Sequence, residues 1–279
     1  MKKTIAFLVF LIIASCGMSQ NLTVQPPFEK ETQLFVELFA VRRNSQSNQM
    51  LQRSYVYFPL VEEGLKRHQL PEELKYLPMV ESTLNTSAKD RSGRMGLWQL
   101  SPQVAAQCGL DVTDDVNDCF DPELATEAAC SRLQELYSLY GDWFLVIAAY
   151  NTSPATVDQA IAKANGYRDY WAIHRFLPRE TQGFVPAFLA LGYVMSRPEE
   201  YGLYPMCSVD IWRDAETVTV TDDLSFEQVC TVTGISMEEL CQLNPKYLHK
   251  RIPASASMGQ TIRLPPRYAI LFKQTFLSN

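Results

Sequence analysis

Residues 76–85 read YLPMVESTLN, and the reading of the whole chain turns on Glu81 in their midst. One carboxylate interrupts Leu77, Pro78, Met79 and Val80, side chains of the kind that fill interiors. Ionising a carboxyl in apolar surroundings is costly, so its pKa rises there. Glu81 is therefore either an accident of helix phase or a proton donor. Glu62, Glu63, Glu72 and Glu73 sit in polar helix faces and raise no such question.

Outward from this stretch the pattern is helical to about residue 198. ETQLFVELFAVRR (31–43) and MLQRSYVYFPLVEEGLKRH (50–68) repeat apolar residues every three or four positions. Pro71, Glu72 and Glu73 suit a helix start, with proline in the first turn and carboxylates at the positive end. Asp121 reads as an N-cap with Pro122 behind it, and Gly141 closes that helix. DWFLVIAAYN (142–151) is apolar on nearly every side and predicts a central buried helix. Between these lies KDRSGRMGLWQLSP (89–102), rich in turn formers, an irregular segment suited to a cleft wall. After Pro198 the pattern changes. ETVTVT alternates as a strand, SFEQVCTVTG and SMEELCQLNP predict short helices, and QTIRLPP predicts a second strand. The fold class is mainly α, with a small α+β module in the order β-α-α-β.

The chain opens with Lys2, Lys3 and the apolar run TIAFLVFLIIAS, a signal-peptide pattern too short to stand as a permanent membrane span. Ile13-Ala14-Ser15-Cys16 resembles the bacterial lipobox, which predicts cleavage after residue 15 and lipid on Cys16; an ordinary secretory peptide is the alternative. Loss of residues 1–15 takes the net charge from −6 to −8. An acidic chain without basic runs is a poor partner for nucleic acid or for anionic lipid, so membrane contact would come through Cys16. Six further cysteines remain, and export permits disulfides. Close spacing favours Cys108–Cys119 and Cys230–Cys241, leaving Cys130 with Cys207; buried free thiols are the alternative. The three histidines are scattered, no zinc spacing or phosphate loop is present, and neither metal nor cofactor is expected.

LPEELKYLPMVES, GLWQL, FDPELATEAA, GDWFLVIAAYN and LPRETQGFVP together resemble, in order and spacing, the catalytic domain of the lytic transglycosylases of glycoside hydrolase family 23. The likeness is greatest to the membrane-bound type D branch. It implies a goose-lysozyme-like helical domain over residues 28–200, with its catalytic core at about 51–194, acting on the glycan strand of peptidoglycan. Residues 1–15 would then be the lipoprotein signal and 16–27 a tether in the cell envelope, facing the periplasm from the outer membrane. Carried over, the resemblance makes Glu81 catalytic and places Ser82, Trp98, Gln99, Tyr150 and Asn151 against substrate. Trp98 also fits a core role, Gln99 a structural cap, Asn151 a C-cap, and Tyr150 either packing or sugar contact. A single carboxyl suffices if it protonates the glycosidic oxygen and then takes the proton of the sugar's own 6-hydroxyl, leaving a 1,6-anhydro end.

Several residues depart from that pattern. Thr152, Ser153 and Pro154 follow Asn151 where a glycine is usual, Phe184 replaces a tyrosine, and Arg94 replaces an alanine in the GAxG run. Phe184 and the altered turn after Asn151 favour an alternative reading as a catalytically weakened peptidoglycan-binding scaffold. A hydrolytic lysozyme is a third possibility, disfavoured by the lack of an obvious second carboxylate beside Glu81. Residues 214–266 resemble a LysM peptidoglycan-binding module through GISMEELCQLNP and MGQTIRLP, with the loop after the first strand and NPKYLHKRI forming its groove and 267–279 a tail. Tyr247 could stack on a sugar there or pack inside. Protein partners are left open.

Overall fold

A computed structural model describes residues 22, 24–25, 29–204, 212, 214–254 and 259–277. Cys16, the signal segment and Cys207 lie outside the described residues.

The large domain begins with α1 (Lys30–Glu37), which winds through a π-helical turn into the long α2 (Asn44–Arg67). A 3₁₀ turn, Glu72–Tyr76, runs directly into α3 (Leu77–Ser82). Then come α4 (Pro102–Gln107), α5 (Pro122–Tyr140), α6 (Trp143–Asn151), α7 (Pro154–Lys163), α8 (Tyr170–Ile173), α9 (Arg179–Gln182) and α10 (Phe184–Met195). The expected signals set the ends. Asp121 Oδ1 accepts from the amides of Glu123 and Leu124, and Gly141 closes α5 in the left-handed region at φ 65°. Asp142 caps α6, whose residues from Leu145 to Ala148 are fully buried. That helix is the hub of the domain: α5 packs on one side of it and α10 on another, while α10 also covers α1 and α3. The core thus buries Leu77, Pro78 and Met79 of α3 and takes in the Glu81 side chain.

The small domain pairs β1 (Glu216–Val220) antiparallel with a strand forty residues later in the chain, Val218 facing Ile262. Between them run β2 (Leu224–Ser225), α11 (Phe226–Thr233), α12 (Met237–Leu243) and β3 (Arg251–Ile252), and then β4 (Gln260–Leu264). Ser225 and Gln228 form a reciprocal capping box at the start of α11. The predicted β-α-α-β order is kept by β1, α11, α12 and β4, with the two short strands β2 and β3 added around the helices and a further difference at the end. Residues expected as a tail form α13 (Pro266–Phe276), because Ala269 and Phe272, three apart on one helix face, drop fully into the core of this domain.

The two domains are joined by hydrogen bonds. The amide of Asn117 donates to Lys246 O at 2.9 Å and that of Leu248 to Asp115 O at 3.0 Å. Arg263 of β4 pairs with Asp121, and with Glu123 at 2.5 Å; the Arg263 and Asp121 side chains are both buried. Asp121 therefore caps a helix with one oxygen and anchors the second domain with the other. The segment NPKYLHKRI, read from sequence as a glycan groove, is partly spent on this contact. Tyr247 is buried, its hydroxyl donates to Thr261 O at 2.7 Å, and it packs in a cluster that includes Val116 of the large domain.

The described cysteines, Cys108, Cys119, Cys130, Cys230 and Cys241, are free thiols. The expected 108–119 and 230–241 bridges are not formed. Cys108 turns its sulfur to the carbonyl of Ala128, while Cys119 and Cys130 are wholly buried, their pKa values pushed to about 11 and about 12 by desolvation. Among the described residues no helix is long and apolar enough to cross a membrane.

Candidate active site

The last turn of α3 delivers Glu81 into the interior. Leu77 and Met79 are buried on the same short helix, and α10 covers it. Its C-terminus is forced shut by two consecutive residues in the left-handed region, Thr83 at φ 56° and Leu84 at φ 57°. Neither is glycine, and such residues cost of order 1–3 kcal/mol each, so they persist where the surroundings impose them and cluster at functional sites. Here Arg53 donates to Thr83 O at 2.9 Å and Leu84 is buried, which fixes both.

The Glu81 side chain is 1% exposed. Its Oε1 has no hydrogen-bond partner among the described residues, and Oε2 lies 3.3 Å from Arg94 Nη1. Desolvation raises the carboxyl's pKa to about 8; the Arg94 cation works against this and the Asp90 anion adds to it. Glu81 is thus protonated at neutral pH, with one oxygen bare.

Arg94 and Gln99 belong to a tight loop, residues 88–100. Met95 and Leu100 exchange both backbone hydrogen bonds, and Gln99 stands at φ 48° with its amide nitrogen donating to Gly96 O. Gly96, at φ 78°, allows the loop to press on the chain beyond it: a Cβ there would fall 1.8 Å from Cys119 O. Within the loop Asp90 accepts from the Ser92 amide and hydroxyl and from the Arg94 amide and Nε, all between 2.7 and 2.9 Å. These bonds pull its pKa down to about 2. Arg94, its side chain 27% exposed, sets Nη1 3.3 Å from Glu81 Oε2 and 3.5 Å from Asn151 O, and it also lines a cleft whose wall does not include Glu81.

That cleft, of about 450 Å³, is lined by Arg94, Gln99, Tyr150 and Asn151, with Arg132 and Glu135 farther along α5. Its floor is the C-terminal end of α6. The missing glycine after Asn151 does not matter to this backbone, since Thr152 turns at φ −114° and Ser153 caps α7. Of the residues the sequence placed here, Gln99, Tyr150 and Asn151 line the cleft. Trp98 does not: it is fully buried and its indole nitrogen donates to Thr126 Oγ1 at 2.9 Å. Nor is Ser82 open to the cleft, for its hydroxyl is engaged with Leu97 O at 2.7 Å and Pro78 O at 3.1 Å. Tyr150 donates to Trp98 O at 2.9 Å. Ser82 and Tyr150 are therefore the ties that fix the loop bearing Arg94 and Gln99. The contact of Arg94 with Glu81 is not evident from sequence, where Arg94 stands only as a replacement for alanine; the Asp-x-Ser-Gly-Arg turn is the local signal for it. Among the described residues no group of acidic, histidine and cysteine side chains could hold a metal.

Residues 59–172 match the transglycosylase SLT domain family, and residues 214–276 match the family described as lytic transglycosylase MltD, LysM-like domain. The chain is 29% identical over 242 residues to membrane-bound lytic murein transglycosylase D of Escherichia coli strain K12 and, equally, to that of Escherichia coli O6:H1. Each alignment covers 85% of this chain and 52% of the relative, so the chain spans about half the length of the curated relatives it matches. Among solved structures, the 70-kDa soluble lytic transglycosylase of Escherichia coli is similar with a TM-score of 0.46 at 21% identity, over 67% of this chain and 33% of that one.

Proposed function

We propose that this chain, which carries a transglycosylase SLT domain followed by an MltD-type LysM-like domain, is a peptidoglycan lytic transglycosylase. It cleaves the β-1,4 bond from N-acetylmuramic acid to N-acetylglucosamine and leaves a 1,6-anhydro end. The observation that carries the reading is the Glu81 carboxyl, buried, without a hydrogen-bond partner at Oε1 among the described residues and 3.3 Å from Arg94 of the cleft; burial pushes its pKa up to about 8. Glu81 gives its proton to the glycosidic oxygen as the bond to C1 breaks. It then accepts the proton of the 6-hydroxyl as that oxygen closes on C1, and the carboxyl is restored without water. Gln99, Tyr150 and Asn151 hold the sugar chain along the cleft.

Hydrolysis would need a second carboxylate free to act as nucleophile or base. Asp90 is the one acting on Glu81, and its oxygens are committed to Ser92 and Arg94 with a pKa near 2, which makes it a feeble base. We assign the protein to the cell envelope facing the periplasm, held by lipid on Cys16, with the small domain adding affinity for peptidoglycan. The alternative of a weakened scaffold is favoured by one observation: Arg94 lines the cleft, whereas Glu81, in contact with it, does not. Digestion of purified peptidoglycan separates the two. Mass spectrometry should find anhydro-muropeptides with the wild-type protein and none with Glu81→Gln; binding to insoluble peptidoglycan without any product release by the wild type would favour the scaffold.

A further inference from the structure

The single-carboxyl mechanism creates a problem at its midpoint. Once Glu81 has given up its proton it is an anion in a site that hydrates it scarcely at all, and among the described residues Oε1 has no donor to receive it. An unpaired buried charge is among the costliest groups in a protein. The charged or titratable groups acting on this carboxyl are few: Arg94 and Asp90 from the loop, and Tyr150 from α6, which burial keeps protonated and therefore neutral. Among the described residues Arg94 alone carries positive charge to within 3.3 Å. Its aim is set by Asp90 at Nε and by Asn151 O at Nη1.

Resting on the reading above, we propose that Arg94 is a positioning residue for Glu81, its guanidinium holding the Oε2 side and stabilising the carboxylate that exists between the two proton transfers. The bonds balance without any further reactant. The proton leaves Glu81 for the departing glycosidic oxygen, Arg94 faces the resulting carboxylate, and the proton of the 6-hydroxyl returns to Glu81 as the new O6–C1 bond forms. Asp90 serves as the aiming partner of Arg94 instead of as a second acid. This assigns a use to Arg94, and it accounts for a buried acid with so little other support.

The test compares wild type with Arg94→Lys, Arg94→Gln and Arg94→Ala. Glutamate carrying carbon-13 at its carboxyl is titrated by NMR, with Glu81→Gln identifying the Glu81 signal, beside the pH profile of kcat/KM on peptidoglycan. Removing an opposite charge at this distance should raise the Glu81 midpoint by about 1–3 pH units in the Gln and Ala variants, with Lys close to wild type. The basic limb of kcat/KM should move with it, and kcat should fall by on the order of tenfold per unit. A midpoint that stays put in Arg94→Gln and Arg94→Ala overturns the proposal. So does an Ala variant faster than wild type, which would make the guanidinium an obstruction. If the wild type forms no anhydro product, the catalytic reading fails by itself, and the NMR titration still decides whether Arg94 supports the Glu81 anion.

Discussion

Replacing Glu81 by glutamine should stabilise the protein, and by an amount that grows with pH. The carboxyl's pKa rises from 4.5 in the unfolded chain to about 8 in the fold. Between those values the folded protein keeps a proton that the unfolded chain releases, so stability falls as pH rises through the window. Each pH unit crossed costs about 1.4 kcal/mol. The wild type therefore gives up about 3 kcal/mol by pH 7 and about 5 kcal/mol above pH 8, a large part of the roughly 5–15 kcal/mol that holds a domain together. Glutamine has no proton to hold, so Glu81→Gln escapes the whole of it. The assay is urea unfolding of both proteins from pH 4 to pH 9, taking the difference in unfolding free energy at each pH. Any fixed cost of burying the amide shifts that difference equally everywhere; the slope is what matters. A difference that is level across the range would refute the reasoning, since it would mean that Glu81 titrates alike in the folded and unfolded chains.

Breaking the junction by Arg263→Ala leaves Asp121 buried and uncompensated and should cost about 3–5 kcal/mol in urea unfolding; a loss under about 1 kcal/mol would mean the pair is solvated. Gly96→Ala forces a methyl into Cys119 O at a left-handed backbone position, and a loss above about 3 kcal/mol, read as a collapse of the melting temperature or of soluble yield, is the expected outcome. Trp98→Phe removes the donor to Thr126 and should cost about 1–3 kcal/mol of stability while leaving KM for peptidoglycan unchanged; a raised KM would put Trp98 in contact with substrate.

Much of this was legible because it rests on local chemistry. The cap at Asp121, the stop at Gly141 and the all-round burial of α6 follow from residues a few positions apart. Glu81 stood out because its neighbours in sequence are also its neighbours in space. What the chain did not disclose depends on which elements meet. Trp98 and Gln99 are adjacent, yet the left-handed turn at Gln99 sends one toward Thr126 and leaves the other beside the cleft. The partnership of Arg263 with Asp121 joins residues 142 positions apart and appears only once the small domain is docked. Arg94 reaches Glu81 because a loop closes on itself and on the carbonyls of Gly96 and Asn151. The closing helix of the small domain was hidden by two prolines, Pro265 and Pro266, which read as the end of the second strand and stand instead as the N-cap and first residue of α13.

Where the atoms of water finish is the direct question to put to this site. Peptidoglycan should be digested in water enriched with heavy oxygen and the released sugars weighed. If a lone hydrogen-bearing side chain lets the muramic ring seal itself, every new end will be anhydro and free of solvent label. Reducing ends carrying the heavy isotope would contradict the account, because they would show that water, activated by some other group, had done the cutting.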